Sequence, residues 1–119
     1  MGGLRKILVV EDDALIALEL GERLGDLGYE TIGPAHTIAE AEQLIARERP
    51  AAALLDANLA GISSVGLGVS LNAMGVPVAF CTGYDCIKDL PAALSNAPLL
   101  TKPIGDDELA RALKHLLGA

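Results

Sequence analysis

Apolar residues fall along this chain in two alternating patterns: short unbroken runs, and longer stretches in which they recur every three or four positions. Ile7-Leu8-Val9-Val10 is the first unbroken run, as expected of a strand buried on both faces, and Glu11-Asp12-Asp13 ends it abruptly. Leu15, Ile16, Leu20, Leu24 and Leu27 then keep helical spacing, with Asp13 placed to cap that helix and Gly28 to stop it. Tyr29 to Ala35 predicts a second strand. Thr37-Ile38-Ala39-Glu40 has the form of a capping box, so the second helix should begin after Thr37. It carries Ile38, Ala41, Leu44 and Ile45 on one face and ends near Glu48, because Pro50 cannot continue it. Ala51 to Leu55 predicts the third strand, ending on Asp56. The third helix is expected from about Ser64 to Met74, despite Gly66 and Gly68 in its first turns, and Gly75 ends it. Val76 to Cys81 predicts strand four, ending at Thr82-Gly83. Leu99-Leu100-Thr101 predicts strand five, before Lys102-Pro103 and a last helix capped by Asp106 and running through Leu117. Between those two strands, Tyr84 to Ala97 holds Pro91 and little periodicity, which predicts one short or broken fourth helix. Strands alternating with helical segments imply an α/β fold: a doubly wound, five-stranded parallel sheet of flavodoxin-like order 2-1-3-4-5. Ligands in such a fold lie beyond the carboxyl ends of strands one and three.

Composition narrows the function more than the fold. The 119 residues, about half of them hydrophobic, suit a single domain over 1–119. With aromatics at 3%, its core is aliphatic and offers no stacking wall for bases or flavin. A formal charge of -7 argues against nucleic-acid binding, which needs clustered Lys and Arg, and in favour of protein partners. No long apolar segment suggests a secretory signal or membrane span, so the expected location is the cytoplasm. Cys81 and Cys86, with no His near them, suit neither a zinc site nor a disulfide framework and are expected as reduced thiols.

The polar residues that end the apolar runs carry the chemistry. In the predicted sheet Glu11 and Asp12 lie beside Asp56, and Thr82 and Lys102 end the next two strands. Two carboxylates about 4 Å apart repel by roughly 4 kcal/mol at an effective dielectric near 20, which either raises a pKa or recruits a cation. An all-oxygen site open to solvent suits magnesium. With the metal on one phosphoryl oxygen, Asp56 can attack phosphorus, Lys102 can balance charge and Thr82 can donate a hydrogen bond. Each residue alone is ordinary, since acids often begin helices, and Asp13 is read as a cap. The conjunction is the signal.

That conjunction resembles the receiver domain of two-component response regulators over essentially the whole chain. The matching motifs are Val9-Val10-Glu11-Asp12-Asp13, Leu54-Leu55-Asp56-Ala57-Asn58-Leu59-Ala60-Gly61, Thr82-Gly83 and Lys102-Pro103. The resemblance implies Asp56 as phosphoacceptor and magnesium held by Glu11 (through water), Asp12, Asp56 and the backbone carbonyl of Asn58. It also implies a cis bond before Pro103 that aims Lys102. A histidine kinase or phosphotransfer protein would be the donor, and a downstream protein, not identifiable from sequence, would read the result. Phe80-Cys81-Thr82-Gly83-Tyr84 further resembles the Phe-Ala-Thr-Gly-Tyr signature of a subgroup, often single-domain and found with bacterial stress-response kinases; Cys81 departs from it. Leu99 stands where many receivers carry a switching aromatic, leaving Tyr84 as a substitute switch, a gate for water, or a partly exposed loop aromatic. Ala60 replaces a common proline, which is expected to loosen the loop after Asp56.

These features predict a phosphorelay component, monomer or weak homodimer, that is not an enzyme beyond its own phosphotransfer and slow autodephosphorylation. The alternative is a pseudo-receiver that signals through fixed contacts without phosphate. A phosphohydrolase is disfavoured because Asn58 replaces the second Asp such enzymes use. With only Gly118 and Ala119 after Leu117, the expectation is a stand-alone regulator, a phosphate shuttle, or a receiver cut from a longer chain.

Overall fold

In a computed structural model, residues 4–83 and 87–118 are described. The apolar runs become β1 (Lys6–Val10), β2 (Glu30–Ala35), β3 (Ala52–Asp56), β6 (Val78–Thr82) and β7 (Leu99–Thr101), all parallel, in the order β2-β1-β3-β6-β7. That is the predicted doubly wound order, renumbered because two short strands, β4 (Asn58–Leu59) and β5 (Ile62–Ser63), intervene as a separate hairpin. Every residue of β3 and β6 is buried, as unbroken apolar strands at the middle of a two-faced sheet must be.

Strand alternation divides the core in two. Leu8, Val10, Ala53, Leu55, Val78 and Phe80 pack toward α2 (Ile38–Arg47) and α3 (Val65–Ala73). Ile7, Val9, Leu54, Ala79 and Cys81 pack toward α1 (Ala14–Asp26) and α4 (Asp106–Leu117). No helix among the described residues is long and apolar enough to cross a membrane.

The predicted helix starts are mostly met, with informative shifts. Asp13 caps α1, its Oδ1 accepting from the amides of Leu15 at 2.9 Å and Ile16 at 3.1 Å. The Thr37 hydroxyl accepts from Glu40 N at 3.1 Å, but the Glu40 carboxylate returns to His36 N at 2.7 Å, one residue earlier than in a simple capping box. Asp106, expected as the cap of the last helix, is its first residue; Gly105 occupies the cap, and Glu108 accepts from the Gly105 amide at 3.3 Å. The Asp106 carboxylate is claimed instead by Arg23 of α1, whose guanidinium also donates to Ile104 O at 2.8 Å.

The buried stripe of α1 is Ala17, Leu20 and Leu24, whereas Leu15 is 76% exposed. Leu15 lies about 140° around the helix from Leu20, so it never belonged to the inward face. Ile16 keeps the spacing yet is only partly covered, beside Pro103 and Ile104.

Ala60, expected to loosen the loop after Asp56, sits in a tight turn there. It adopts φ 53° and Gly61 adopts φ 91°, closing the β4–β5 hairpin, while Asn58 Oδ1 accepts from Gly61 N at 2.6 Å. Proline, held near φ of about −65°, could not take this left-handed turn. Between β6 and β7 the described helical structure is one 3-10 turn, Ala92–Leu94, following Pro91; it drives Leu94 into the core, as a short or broken fourth helix predicts. Tyr84, read from the sequence as a switch, a water gate or a loop aromatic, and Cys86, expected as a reduced thiol, lie outside the described residues.

Gly68 explains why α3 tolerates its glycines. A Cβ there would meet Phe80 Cζ at 2.7 Å, whereas one on Gly66 would meet nothing within 4 Å. Urea denaturation should therefore separate the two: Gly68→Ala loses about 1–3 kcal/mol through overpacking, while Gly66→Ala gains about 0.5–1 kcal/mol. Equal losses at both positions would contradict this packing.

Candidate functional site

Sheet register assembles the site. Val10 pairs with Leu55, Asp56 with Cys81, and Thr82 with Thr101. Each polar residue that ends an apolar run therefore emerges at the same carboxyl edge, on adjacent strands. Lys102 Nζ lies 2.8 Å from Glu11 Oε1 and 3.1 Å from Asp56 Oδ2, bridging the ends of β1 and β3 from beyond β7. The Lys102 amide donates to Thr82 O at 2.8 Å, and the bond from Lys102 to Pro103 is cis, as the resemblance implied.

Both buried carboxylates are fully engaged. The second oxygen of Glu11 accepts from the Asp13 amide at 3.1 Å, and that of Asp56 accepts from the Asn58 amide at 3.1 Å. Asp12 is exposed, and carboxylate oxygens of Glu11, Asp12 and Asp56 lie within 4.8 Å of one another. Thr82 is buried at the end of β6. Asn58 is adjacent through its amide, with its side chain committed to the hairpin. All six residues singled out in the sequence thus meet at one place.

His36 was not anticipated. Its Nδ1 stands 2.9 Å from the Glu11 carbonyl oxygen, and the Glu11 amide donates to Ala35 O at 2.9 Å. A lone histidine after a strand carries no sequence signal for such a contact.

Charge in the site is unbalanced. Burial raises the Glu11 carboxyl to about 7, and the neighbouring Asp56 adds to the rise, against the opposing pull of Lys102 and the Asp13 amide. Burial alone would lower Lys102, but its hydrogen bonds to Glu11 and Asp56 outweigh that and its pKa is raised. Burial pushes the Cys81 thiol up to about 12, so it stays protonated and unreactive beside the site. One ammonium against three carboxylates, all offering oxygen ligands, leaves a donor set that fits a hard divalent cation.

A family profile described as the response regulator receiver domain matches residues 7–114. The chain is similar to Response regulator MprA of Mycobacterium ulcerans, 31% identical over 116 residues that make up 94% of this chain and 50% of MprA. Among solved structures, SdrG from Sphingomonas melonis superposes with a TM-score of 0.81 at 35% identity, covering 98% of this chain and 99% of SdrG. The PhyR receiver domain of Erythrobacter litoralis gives 0.82 at 28% identity, covering 99% and 92%. The chain spans about half the length, or less, of the curated relatives it matches.

The raised Glu11 sets a pH dependence. Between its ordinary value near 4.5 and its folded value near 7, the folded protein binds the proton that the unfolded chain releases. Stability therefore rises as pH falls through that window. In EDTA the melting temperature should climb from about pH 8 to about pH 5.5, and Glu11→Gln should flatten the slope. A wild-type melting temperature that falls over this range would contradict the placement of Glu11.

Proposed function

The chain belongs to the response regulator receiver domain family, and from that premise we propose that it is a phosphoacceptor switch in which Asp56 takes a phosphoryl group. The observation that carries this reading is Lys102, held between Glu11 and Asp56 where three carboxylates converge. Glu11, Asp12 and Asp56, with the backbone carbonyl of Asn58, would hold Mg2+. When bound, the ion would neutralise charge on a phosphoryl oxygen.

The chain's own groups do the rest. A carboxylate oxygen of Asp56 forms the new bond to phosphorus while the bond from phosphorus to the donor's leaving atom breaks, and the electron pair departs with the donor. Glu11 keeps Lys102 aimed at Asp56, so positive charge is in place before phosphorus arrives. The Thr82 hydroxyl, at the end of the next strand, donates to a second phosphoryl oxygen. The donor is a histidine kinase or phosphotransfer protein, and the readout is altered preference for a downstream protein. Turnover is limited to this self-modification and slow hydrolysis of the acyl phosphate, in a protein working in the cytoplasm.

With acetyl phosphate and Mg2+, intact-mass measurement should show one phosphoryl group gained by the wild type and none by Asp56→Asn or in EDTA. Lys102→Ala should slow the gain by about 10²-fold. A wild type that gains no mass would instead support a phosphate-independent interaction module, and a gain that survives Asp56→Asn would move the acceptor elsewhere.

A further inference from the structure

The Glu11–Asp12 peptide carries two of the three carboxylates of the site, yet it lies past the last residue of β1. This extension of β1 is held from the β2 side at two points. The Glu11 amide donates to Ala35 O at 2.9 Å, and the next link is a side chain: His36 Nδ1 reaches the Glu11 carbonyl oxygen at 2.9 Å. A carbonyl oxygen only accepts, so Nδ1 must carry the proton. The ring thus continues the β1–β2 ladder one rung beyond the backbone.

His36 is itself anchored. It is half-buried, its amide donates to Glu40 Oε1 at 2.7 Å, and Thr37 beside it caps α2. The support therefore runs from the first turn of α2 through the imidazole to the peptide plane between Glu11 and Asp12. Displacement of that peptide would carry both Cα atoms, and with them both acidic side chains, away from Asp56, and the His36 bond opposes it.

Resting on the phosphoacceptor reading, we propose that His36 is a positioning residue for the metal-holding carboxylates, acting through the Glu11 carbonyl and touching neither metal nor phosphoryl group. Outer-shell hydrogen bonds of this kind fix ligand orientation. His36 should set how readily the divalent ion binds and leave the chemical step nearly untouched once the site is filled.

The test compares wild type with His36→Ala and with His36→Asn, whose side-chain amide can replace the Nδ1 donor. Mg2+ titration followed by backbone amide NMR shifts should show half-saturation of His36→Ala at about three- to tenfold higher Mg2+, the loss of one hydrogen bond. His36→Asn should return to within twofold of wild type. At saturating Mg2+ the rate of mass gain from acetyl phosphate should stay within about twofold for all three. Imidazole NMR at about pH 8 should show the Nδ1-protonated tautomer for the ring that disappears in His36→Asn. His36→Leu, which keeps bulk and removes the donor, takes the place of His36→Ala if the latter does not fold.

An unchanged Mg2+ requirement in His36→Ala, a His36→Asn variant as impaired as His36→Ala, or an Nε2-protonated neutral ring would each overturn the positioning role while wild type still binds Mg2+ and gains mass. A wild type that does neither overturns the phosphoacceptor reading, and the positioning role with it.

Discussion

Lys102 placed between Glu11 and Asp56 is the constraint on which the rest of the structure depends. Two carboxylates with little contact with water cannot both stay charged at one sheet edge without a cation, because each lost hydration and they repel one another. A single ammonium answers both, and the amides of Asp13 and Asn58 satisfy the oxygens it leaves. The balance remains incomplete, as the raised Glu11 shows. A site left short of positive charge is poised to accept a cation, and this deficit joins the fold to the chemistry proposed for it.

The pairing requires a sheet with fixed register. Glu11, Asp56, Thr82 and Lys102 converge only because each of four parallel strands stops within a residue of its neighbour, and they do so because each apolar run is cut by a polar residue. Slippage by one residue in β3 would turn Asp56 toward the other face and break the set. Complete burial of β3 and β6 opposes that slip, since every displaced side chain would have to be repacked. Packing thus protects charge geometry.

What was legible in the sequence was whatever is encoded by period and position. Strand order, the Asp13 cap and five of the six site residues derive from where apolar runs end, with neighbouring strands doing the assembling, whereas Asn58 came only from the resemblance to receiver domains. What was not legible depends on partners distant in sequence or on backbone shape. Asp106 looked like a cap because nothing nearby announces that Arg23 will bind its carboxylate. Leu15 looked inward because a five-residue step to Leu20 resembles helical spacing on the page but not around a helix. The hairpin after Asp56 escaped notice because its strands have two residues each and its turn places an alanine at positive φ, a conformation few sequence patterns signal. His36 acts on a backbone carbonyl, which leaves no complementary side chain to find.

The outward face of α1 has a consequence of its own. Leu15 and Leu18 are exposed, while the buried residues of the helix are Ala17, Leu20 and Leu24. Substitutions at the outward positions disturb no packed neighbour, and such surface changes usually alter stability by less than about 0.5 kcal/mol. The chain can therefore rewrite this face, one turn from the acidic cluster, without renegotiating its fold. Identity at the surface and integrity of the core are inherited separately along the same helix.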